Sequence, residues 1–160
     1  PRDHGHVTLS IQERKLGDPV LDALVEAAVA ELNRRYRSPG ELDDEYPLDA
    51  DAVCWVAYVD GVPAGCIARA DLDEPDWQGF VEMKRVFVHE AFRGRGIARA
   101  MVAVFEEAAR TAGARGVRLE TGTKQPEAIA LYERLGYERS PVSFGPWACD
   151  PLSICYLKTW

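Results

Sequence analysis

The spacing of apolar and polar residues divides this chain into predicted strands and helices. Period-two alternation and short apolar runs are typical of strands, and they occur at 7–12, 52–59, 63–70, 80–88, 116–120, 137–142 and 152–157. Apolar residues at helical spacing predict helices over 19–35, 97–112 and 127–135. Two prolines and four acids between 38 and 47 predict a loop or a broken short helix.

Local signals support these boundaries. Asp18 can cap the first helix, Asp60-Gly61 predicts a hairpin turn, and Gly113 and Gly136 are suited to end the second and third helices. The resulting order, β-α-(α)-β-β-β-α-β-α-β-β, indicates an α/β (α+β) chain with a mixed, mostly antiparallel sheet. The length of 160 residues fits a single domain, 1–160, with one sizeable core.

Composition excludes several classes of function. The net charge of −7 argues against a nucleic-acid partner, which requires a basic face, and is compatible with a cationic amine substrate. No apolar run approaches the roughly 20 residues that span a bilayer, so no membrane partner is expected. The four cysteines form no C-x-x-C pair and are not spaced with the three histidines as zinc ligands, so we predict no metal site. Reduced cysteines and the absence of an apolar signal region indicate a cytoplasmic protein.

The segment RGRGIA at 93–98 joins an apolar strand to an amphipathic helix. The first amides of a helix have no intrahelical partner, and the helix dipole adds positive charge there, so this arrangement predicts an anion site. Glycines let the backbone approach a ligand closely, and two arginines suit a pyrophosphate. The segment matches neither the P-loop pattern nor G-x-G-x-x-G, because position 99 is arginine.

With Arg93, Gly96 and Ala98, this segment resembles the R-x-x-G-x-G/A signature of the GNAT acetyltransferase superfamily. The sequence EMKRVFV at 82–88 resembles the family's fourth strand, and 125–137 resembles its N-x-x-A-x-x-L-Y-x-x-x-G-F/Y segment. The resemblance covers about residues 79–140. It implies the GNAT fold, a central sheet of about seven strands with flanking helices and a splay between strands 4 and 5. It also implies an N-acetyltransferase with acetyl-CoA as cosubstrate.

The same resemblance implies which residues hold acetyl-CoA. The fourth strand would pair with the pantetheine arm, the 93–98 loop would hold the pyrophosphate, and an amide of Phe87 or Val88 would donate to the thioester oxygen. The implied cofactor-binding residues are Val86, Phe87, Val88, Arg93, Gly94, Arg95, Gly96, Ile97, Ala98, Gln125 and Tyr132. Gln125 stands where the family often has asparagine; its longer side chain can still reach the cofactor, or the contact is lost.

N-acetyl transfer requires one group that takes a proton from the amine and another that protonates the leaving thiolate. The resemblance implies Glu82 as the general base and Tyr132 as the general acid. Strand alternation places Glu82, Lys84 and Val86 on one face. Glu120 or a chain of water molecules is the alternative base. An exposed Glu82 and a Tyr132 that packs in the core are the structural alternatives.

The resemblance places the acceptor pocket near the first helix, its following loop and the loop between the last two strands. The substrate candidates are Arg34, Tyr36, Glu120, Thr121, Phe144 and Trp147. The acidic segment 41–45 favours a polyamine or aminoglycoside, whereas Arg34, Arg35 or Arg69 would favour an amine that also carries a carboxylate.

We expect the acceptor to be a small-molecule amine. The alternatives are an acyl-CoA sensor without turnover and an acetyltransferase of protein lysines or N-termini. Retention of both Glu82 and Tyr132 favours catalysis, because a sensor needs only the anion site. A homodimer is compatible with the aromatic C-terminus, where Tyr156 and Trp160 could lie at an interface or in the core.

Overall fold

The computed structural model describes residues 7–36, 48–145, 148 and 150–160. The predicted loop or broken helix at 38–47 and the substrate candidate Trp147 lie outside the described residues. Short 3₁₀ turns occupy Pro75–Trp77 and Glu90–Phe92. The strands and helices are β1 (Leu9–Arg14), α1 (Pro19–Tyr36), β2 (Val53–Val59), β3 (Val62–Asp71), β4 (Phe80–Val88), α2 (Ile97–Thr111), β5 (Gly116–Gly122), α3 (Pro126–Arg134), β6 (Glu138–Arg139) and β7 (Ser153–Thr159).

The predicted capping signals are present at the helix ends. The Asp18 carboxylate accepts hydrogen bonds from the backbone amides of Val20 at 2.8 Å and Leu21 at 3.4 Å. Gly113 follows α2 with φ 88°, a backbone conformation that favours glycine. The boundaries of α1 and α2 predicted from periodicity are therefore confirmed to within one residue.

The sixth strand is shorter than predicted. Only Glu138 and Arg139 pair with β7, instead of the whole of 137–142. Beyond them the Ser140 hydroxyl donates to the Val142 carbonyl at 2.6 Å and accepts from the Val142 amide at 3.2 Å. These local bonds compete with the sheet ladder and turn the chain away from it.

The seven strands form one sheet in the order β1-β2-β3-β4-β5-β7-β6. Every neighbouring pair is antiparallel except β4 and β5, which run parallel. Their ladder begins at Phe80 with Gly116 and ends at Met83 with Leu119. Beyond it both strands continue, but they no longer pair with each other. The mixed sheet with a splay between strands 4 and 5 is thus confirmed.

The helices cover both faces of the sheet. On one face, α2 and α3 bury a core that includes Met101, Phe105 and Tyr156, all with no exposed surface. On the other face, α1 packs through Leu21 and Leu24. Tyr156 therefore lies in the core, while Trp160 is 40% exposed.

A β-bulge interrupts β4 at Arg85. Cys66 pairs with Phe87 and Ala68 pairs with Lys84, so β4 has one residue more than β3 between these two pairs. Arg85 adopts φ 56°, in the left-handed region that non-glycine residues rarely enter. Because of the extra residue, each side chain that follows it on β4 lies on the opposite face of the sheet from the one that strict alternation predicts.

This phase shift corrects the predicted alternation. Val86 packs with Met83 on the face covered by α2, whereas Phe87 packs against α1. The prediction that Val86 shares a face with Glu82 is wrong, because the bulge lies between them.

Candidate active site

A cleft of about 850 Å³ opens where β4 and β5 separate. Its walls come from the C-terminal half of α1, the end of β4, the loop before α2, the end of β5 and one side of α3. Ten of the implied cofactor-binding residues line it: Val86, Phe87, Val88, Arg93, Gly94, Gly96, Ile97, Ala98, Gln125 and Tyr132. The separation of the two strands therefore brings distant predicted residues together in one site.

The 93–98 loop supplies backbone amides to this cleft. Gly94 and Gly96 have φ values of 78° and 76°, and Gly96 caps α2 without a side-chain hydrogen bond. Ile97 and Ala98, the first residues of α2, line the cleft, and amides at this position of a helix have no intrahelical partner. The helix N-terminus is thus arranged to bind an anion.

The arginines of the loop differ in their positions. Arg95 lies over the ring of Phe92, with 5.5 Å from its guanidinium carbon to the ring centre, and does not line the cleft. Arg99, in the first turn of α2, does line it. Sequence reasoning missed Arg99, although its place three residues after Gly96 puts it on the same side of the helix as the loop.

Arg93 is held by groups of the protein itself. Its Nε donates to the Val88 carbonyl at 2.9 Å, and its Nη2 contacts both carboxylate oxygens of Glu31, at 2.8 and 2.7 Å. The guanidinium predicted to hold pyrophosphate therefore ties the loop to α1.

Glu31 belongs to a chain of charges, Arg93–Glu31–Arg35–Glu127, which we call the ion-pair strap. Arg35 contacts Glu31 at 3.0 Å and forms a close ion pair with Glu127 on α3. Burial alone would raise the pKa of Glu31, but hydrogen bonds and charges from Arg93 and Arg35 outweigh it and lower that pKa. The strap therefore joins α1 to the loop before α2 and to α3, both of which line the cleft.

Glu82 is buried on the face of the sheet that α1 covers. It is 7% exposed and lines the cleft. Its Oε1 lies 3.5 Å from Nε of Arg118, and its Oε2 lies 3.4 Å from Nζ of Lys84. The alternative of a solvent-exposed Glu82 is therefore wrong.

Glu120 is the second carboxylate in the cleft. Val117 and Leu119 pack with α2, so Glu120 points to the opposite face, the same face as Glu82. Burial, and to a lesser degree the charge of Glu82, raises the pKa of Glu120 to about 7. A carboxyl group with that pKa can both bind and release a proton near neutral pH.

Tyr132 lines the cleft from α3 and is 6% exposed. Its ring packs edge-on to Tyr137 and tilted to Tyr156, at centre distances of 5.9 and 6.2 Å. Burial raises the pKa of its hydroxyl, so the phenol stays protonated at neutral pH. Tyr132 is thus both a core residue and a cleft residue, and the two alternatives stated for it are compatible.

The predicted substrate residues divide into two groups. Glu120 and Thr121 line the cleft, whereas Arg34, Tyr36 and Phe144 do not. Arg34 is exposed on α1. Phe144 is buried, and the centre of its ring lies 4.6 Å from the guanidinium carbon of Arg118.

Tyr36 fixes the end of α1 against the β5–α3 connection. Its hydroxyl accepts a hydrogen bond from the Lys124 amide at 3.2 Å. A Cβ on Gly122 would lie 1.6 Å from that hydroxyl, so glycine is required there.

Within the described ranges, no helix is both long and apolar enough to span a membrane. The same residues contain no group of three or more His, Cys, Asp or Glu placed to hold a metal ion.

Comparison with known proteins supports the same interpretation. Residues 19–137 match the model of the acetyltransferase (GNAT) family. An IAA acetyltransferase of Azospirillum brasilense is 36% identical over 143 residues, covering 85% of this chain and 90% of that protein. Human N-acetyltransferase 8 is 30% identical over 105 residues, which are 65% of this chain and 46% of the human protein.

The fold is also found in solved structures. PaiA N-acetyltransferase from Thermoplasma acidophilum, solved in complex with coenzyme A, superposes with a TM-score of 0.68 at 17% identity, covering 94% of this chain and 99% of that one. The family match, the relative from Azospirillum and the splayed sheet together show that this chain belongs to the GNAT family of acetyltransferases, which use acetyl-CoA.

Proposed function

We propose that this acetyltransferase moves the acetyl group of acetyl-CoA to a primary amine of a small molecule, by direct attack within a ternary complex. One observation carries the proposal. A single cleft holds a helix N-terminus suited to an anion and, at the splay, a protonated phenol on one face of the sheet and two carboxylates on the other. Phosphate binding, amine deprotonation and thiolate protonation thus each have a suitable group within one cavity.

The cofactor is proposed to lie along the cleft. The amides of 94–98 and the side chain of Arg99 would face its pyrophosphate, and the end of β4 would pair with the pantetheine arm. Arg93 would act chiefly by fixing the loop to α1, because Glu31 already occupies its guanidinium group. Gln125 is a further candidate contact, since it lines the same cleft.

The acid and base follow from chemistry at the splay. The Tyr132 hydroxyl would protonate the leaving thiolate, a role that its burial favours by keeping the phenol protonated. One of the two cleft carboxylates, Glu82 or Glu120, would take the proton from the amine. The thioester oxygen would receive a hydrogen bond from an amide at the end of β4.

A cationic acceptor is favoured over an acidic one. Both glutamates face the cleft, and the protein has a net charge of −7. Carboxylates in a partly buried site attract an ammonium group more strongly than they would in water. A homodimer and a cytoplasmic location remain predictions from the sequence.

Two other functions are kept as alternatives. An acyl-CoA sensor would need the anion loop but neither Tyr132 nor the paired glutamates. An acetyltransferase of protein lysines or N-termini would use the same chemistry on a larger acceptor. The presence of both carboxylates and the phenol in the cleft supports catalysis over sensing.

Thiol release from acetyl-CoA across a panel of acceptors tests the proposal. The panel contains amino acids, polyamines, aminoglycosides, arylamines, a lysine peptide and IAA, the compound in the Azospirillum relative's name. Turnover on one class of small amine, with the acetylated amine identified by mass, is expected. Coenzyme binding without thiol release on any acceptor would favour the sensor, and turnover on the peptide alone would favour the protein acetyltransferase.

A further inference from the structure

Four charged side chains share one face of the sheet at the point where β4 and β5 separate. Two lie on each strand, and they are Glu82, Lys84, Arg118 and Glu120. Glu82 and Arg118 are directly paired in the parallel ladder, which ends one residue later. Glu120 is the first residue of β5 beyond that ladder, at the opening of the splay.

Arg118 is held rigidly on this face. It is 2% exposed, and its guanidinium carbon lies 5.0 Å from the ring centre of Trp77 and 4.6 Å from that of Phe144, two rings that also contact each other edge-on. Its two terminal nitrogens bind the Glu74 carboxylate at 3.1 and 2.8 Å. A bidentate pair beside two aromatic rings leaves this buried side chain little rotational freedom.

The fixed Arg118 determines where the Glu82 carboxylate lies. The Nε of Arg118 is a buried nitrogen without a hydrogen-bond partner, and it faces Oε1 of Glu82 at 3.5 Å. The ammonium group of Lys84 faces the other oxygen at 3.4 Å. Both Glu82 oxygens therefore face a cation, so ion pairs with Arg118 and Lys84 already occupy this carboxylate.

Glu120 has the opposite environment. It is partly buried, and its own contacts are the Cys155 thiol, 3.8 Å from Oε2, and the nearby Ser153 hydroxyl. Burial, followed by the charge of Glu82, raises the pKa of Glu120 to about 7, although Ser153, Cys155 and the charge of Arg118 oppose the rise. Of the described residues, these are the charged and titratable groups that act on Glu120 from β4, β5 and β7.

We infer that Glu120 accepts the proton of the acceptor amine, and that Glu82, fixed by Arg118, is a positioning residue whose negative charge makes Glu120 a better proton acceptor. This inference rests on the proposed function, because it assigns the proton acceptor of that reaction. It divides between two glutamates the role that sequence reasoning gave to Glu82 alone.

Two protons leave the acceptor nitrogen during the reaction. The ammonium group of the acceptor gives one proton to Glu120, which later releases it to solvent, and the freed electron pair forms the new C–N bond. The C–S bond then breaks. The second proton leaves nitrogen as the amide forms, and the thiolate receives a proton from Tyr132, which regains one from that nitrogen.

The titration of Glu120 can be measured without any turnover. Protein labelled with ¹³C at the glutamate carboxyls is titrated by NMR, and Glu120→Gln identifies the Glu120 signal. We expect a midpoint near neutral pH in the wild type and a midpoint lower by about one unit in Glu82→Gln, because a neighbouring negative charge is removed. The claim that Glu82 makes Glu120 a better proton acceptor would be overturned in two ways. One is a wild-type Glu120 midpoint in the usual range of glutamate, and the other is a midpoint that does not change in Glu82→Gln.

The pH profile of kcat/KM tests the catalytic part. In the wild type, kcat/KM should rise with pH through the Glu120 midpoint, and this rise is the acid limb of the profile. Glu120→Gln should lower kcat at least about 100-fold. Glu82→Gln should move the acid limb to lower pH. Glu82→Asp keeps the charge and should restore the wild-type limb. Exposed Glu107→Gln on α2 is the matched control and should change nothing.

Two results would overturn the assignment. One is an acid limb that survives in Glu120→Gln and disappears in Glu82→Gln, which would make Glu82 the base. The other is a Glu82→Gln profile that keeps its acid limb in place, which would remove the positioning role. Wild-type protein that acetylates no amine at any pH would remove the proposed function itself, and the NMR titration would then describe the carboxylate pair alone.

Discussion

At the scale of single residues, the roles proposed for the 93–98 loop and for the cleft side chains can each be tested by a single substitution. Ala98 lines the cleft in the first turn of α2, while Ala103 is exposed on the same helix. Ala98→Glu should lower coenzyme A affinity at least about 100-fold, because its carboxylate would oppose the pyrophosphate. Ala103→Glu, the matched control, should bind as the wild type does in calorimetric titration. Equal affinities for both variants would show that the anion lies elsewhere.

Tyr132 is expected to act in the reaction more than in binding. Tyr132→Phe keeps the ring that packs against Tyr137 and Tyr156 and removes only the hydroxyl. Turnover should fall about 100-fold, while coenzyme affinity stays within about tenfold. Steady-state kinetics with the amine found in the panel measures both, and unchanged kcat would remove Tyr132 from the mechanism.

Glu120 should also affect stability, with a sign that its raised pKa determines. Its pKa is about 7 in the folded protein against 4.5 in the unfolded chain, so the folded state loses stability as pH rises between these values. Glu120→Gln stays neutral and should be more stable than the wild type at pH ~8 by about 1–2 kcal/mol, reduced for partial solvent screening. Urea unfolding at pH ~4 and ~8 should show the gain only at the higher pH. The same gain at both values would mean that ionisation is not its cause.

Sequence reasoning reached the residues of the cleft but not the pairing between them. The amides of 94–98 follow from a strand–glycine–helix pattern and Tyr132 from a family motif, whereas Glu120 was only the alternative base at the end of the neighbouring strand. The contact between Arg93 and Glu31 joins residues 62 positions apart, and only the packing of α1 on the sheet brings them together. Arg118 carried no signal, because an arginine in an apolar strand reveals neither its ring contacts nor the carboxylates beside it.

At the scale of elements, α1 is attached to the cleft by the ion-pair strap. Glu31→Gln should lower the free energy of unfolding at pH ~7 by about 1 kcal/mol, since it breaks contacts with both Arg93 and Arg35. The pKa of Glu31 is lowered in the folded state, so its contribution exists above pH 4.5 and is lost as pH falls. The gap between variant and wild type should therefore narrow at acid pH. Exposed Glu26→Gln on the same helix is the control, and an equal loss in it would point to helix propensity instead.

Elements differ in how well pattern alone predicted them. The helices were predicted within one or two residues, because periodicity and caps agree with each other. The bulge in β4 was not predicted, since Arg85 adopts a positive φ that usually requires glycine. The sixth strand ended early because Ser140 bonds locally to Val142, a contact that alternation cannot reveal.

At the scale of the whole molecule, the sheet separates the phenol from the two carboxylates, and the splay between β4 and β5 opens both sides into one cleft. Tyr132 reaches it from α3 on one face, and Glu82 and Glu120 reach it from the face that α1 covers. Periodicity predicted a mixed sheet, but its splay was implied only by family resemblance, because no local pattern states where two parallel strands stop pairing. We propose that this arrangement binds acetyl-CoA and the acceptor together.

Initial velocities measured while acetyl-CoA and the acceptor are both varied test this arrangement most directly. Direct transfer in a ternary complex predicts double-reciprocal lines that intersect, with one acetylated amine formed for each thiol released. Parallel lines, together with an acetylated protein found by mass spectrometry after acetyl-CoA is added alone, would contradict it, because the acetyl group would then pass through the enzyme.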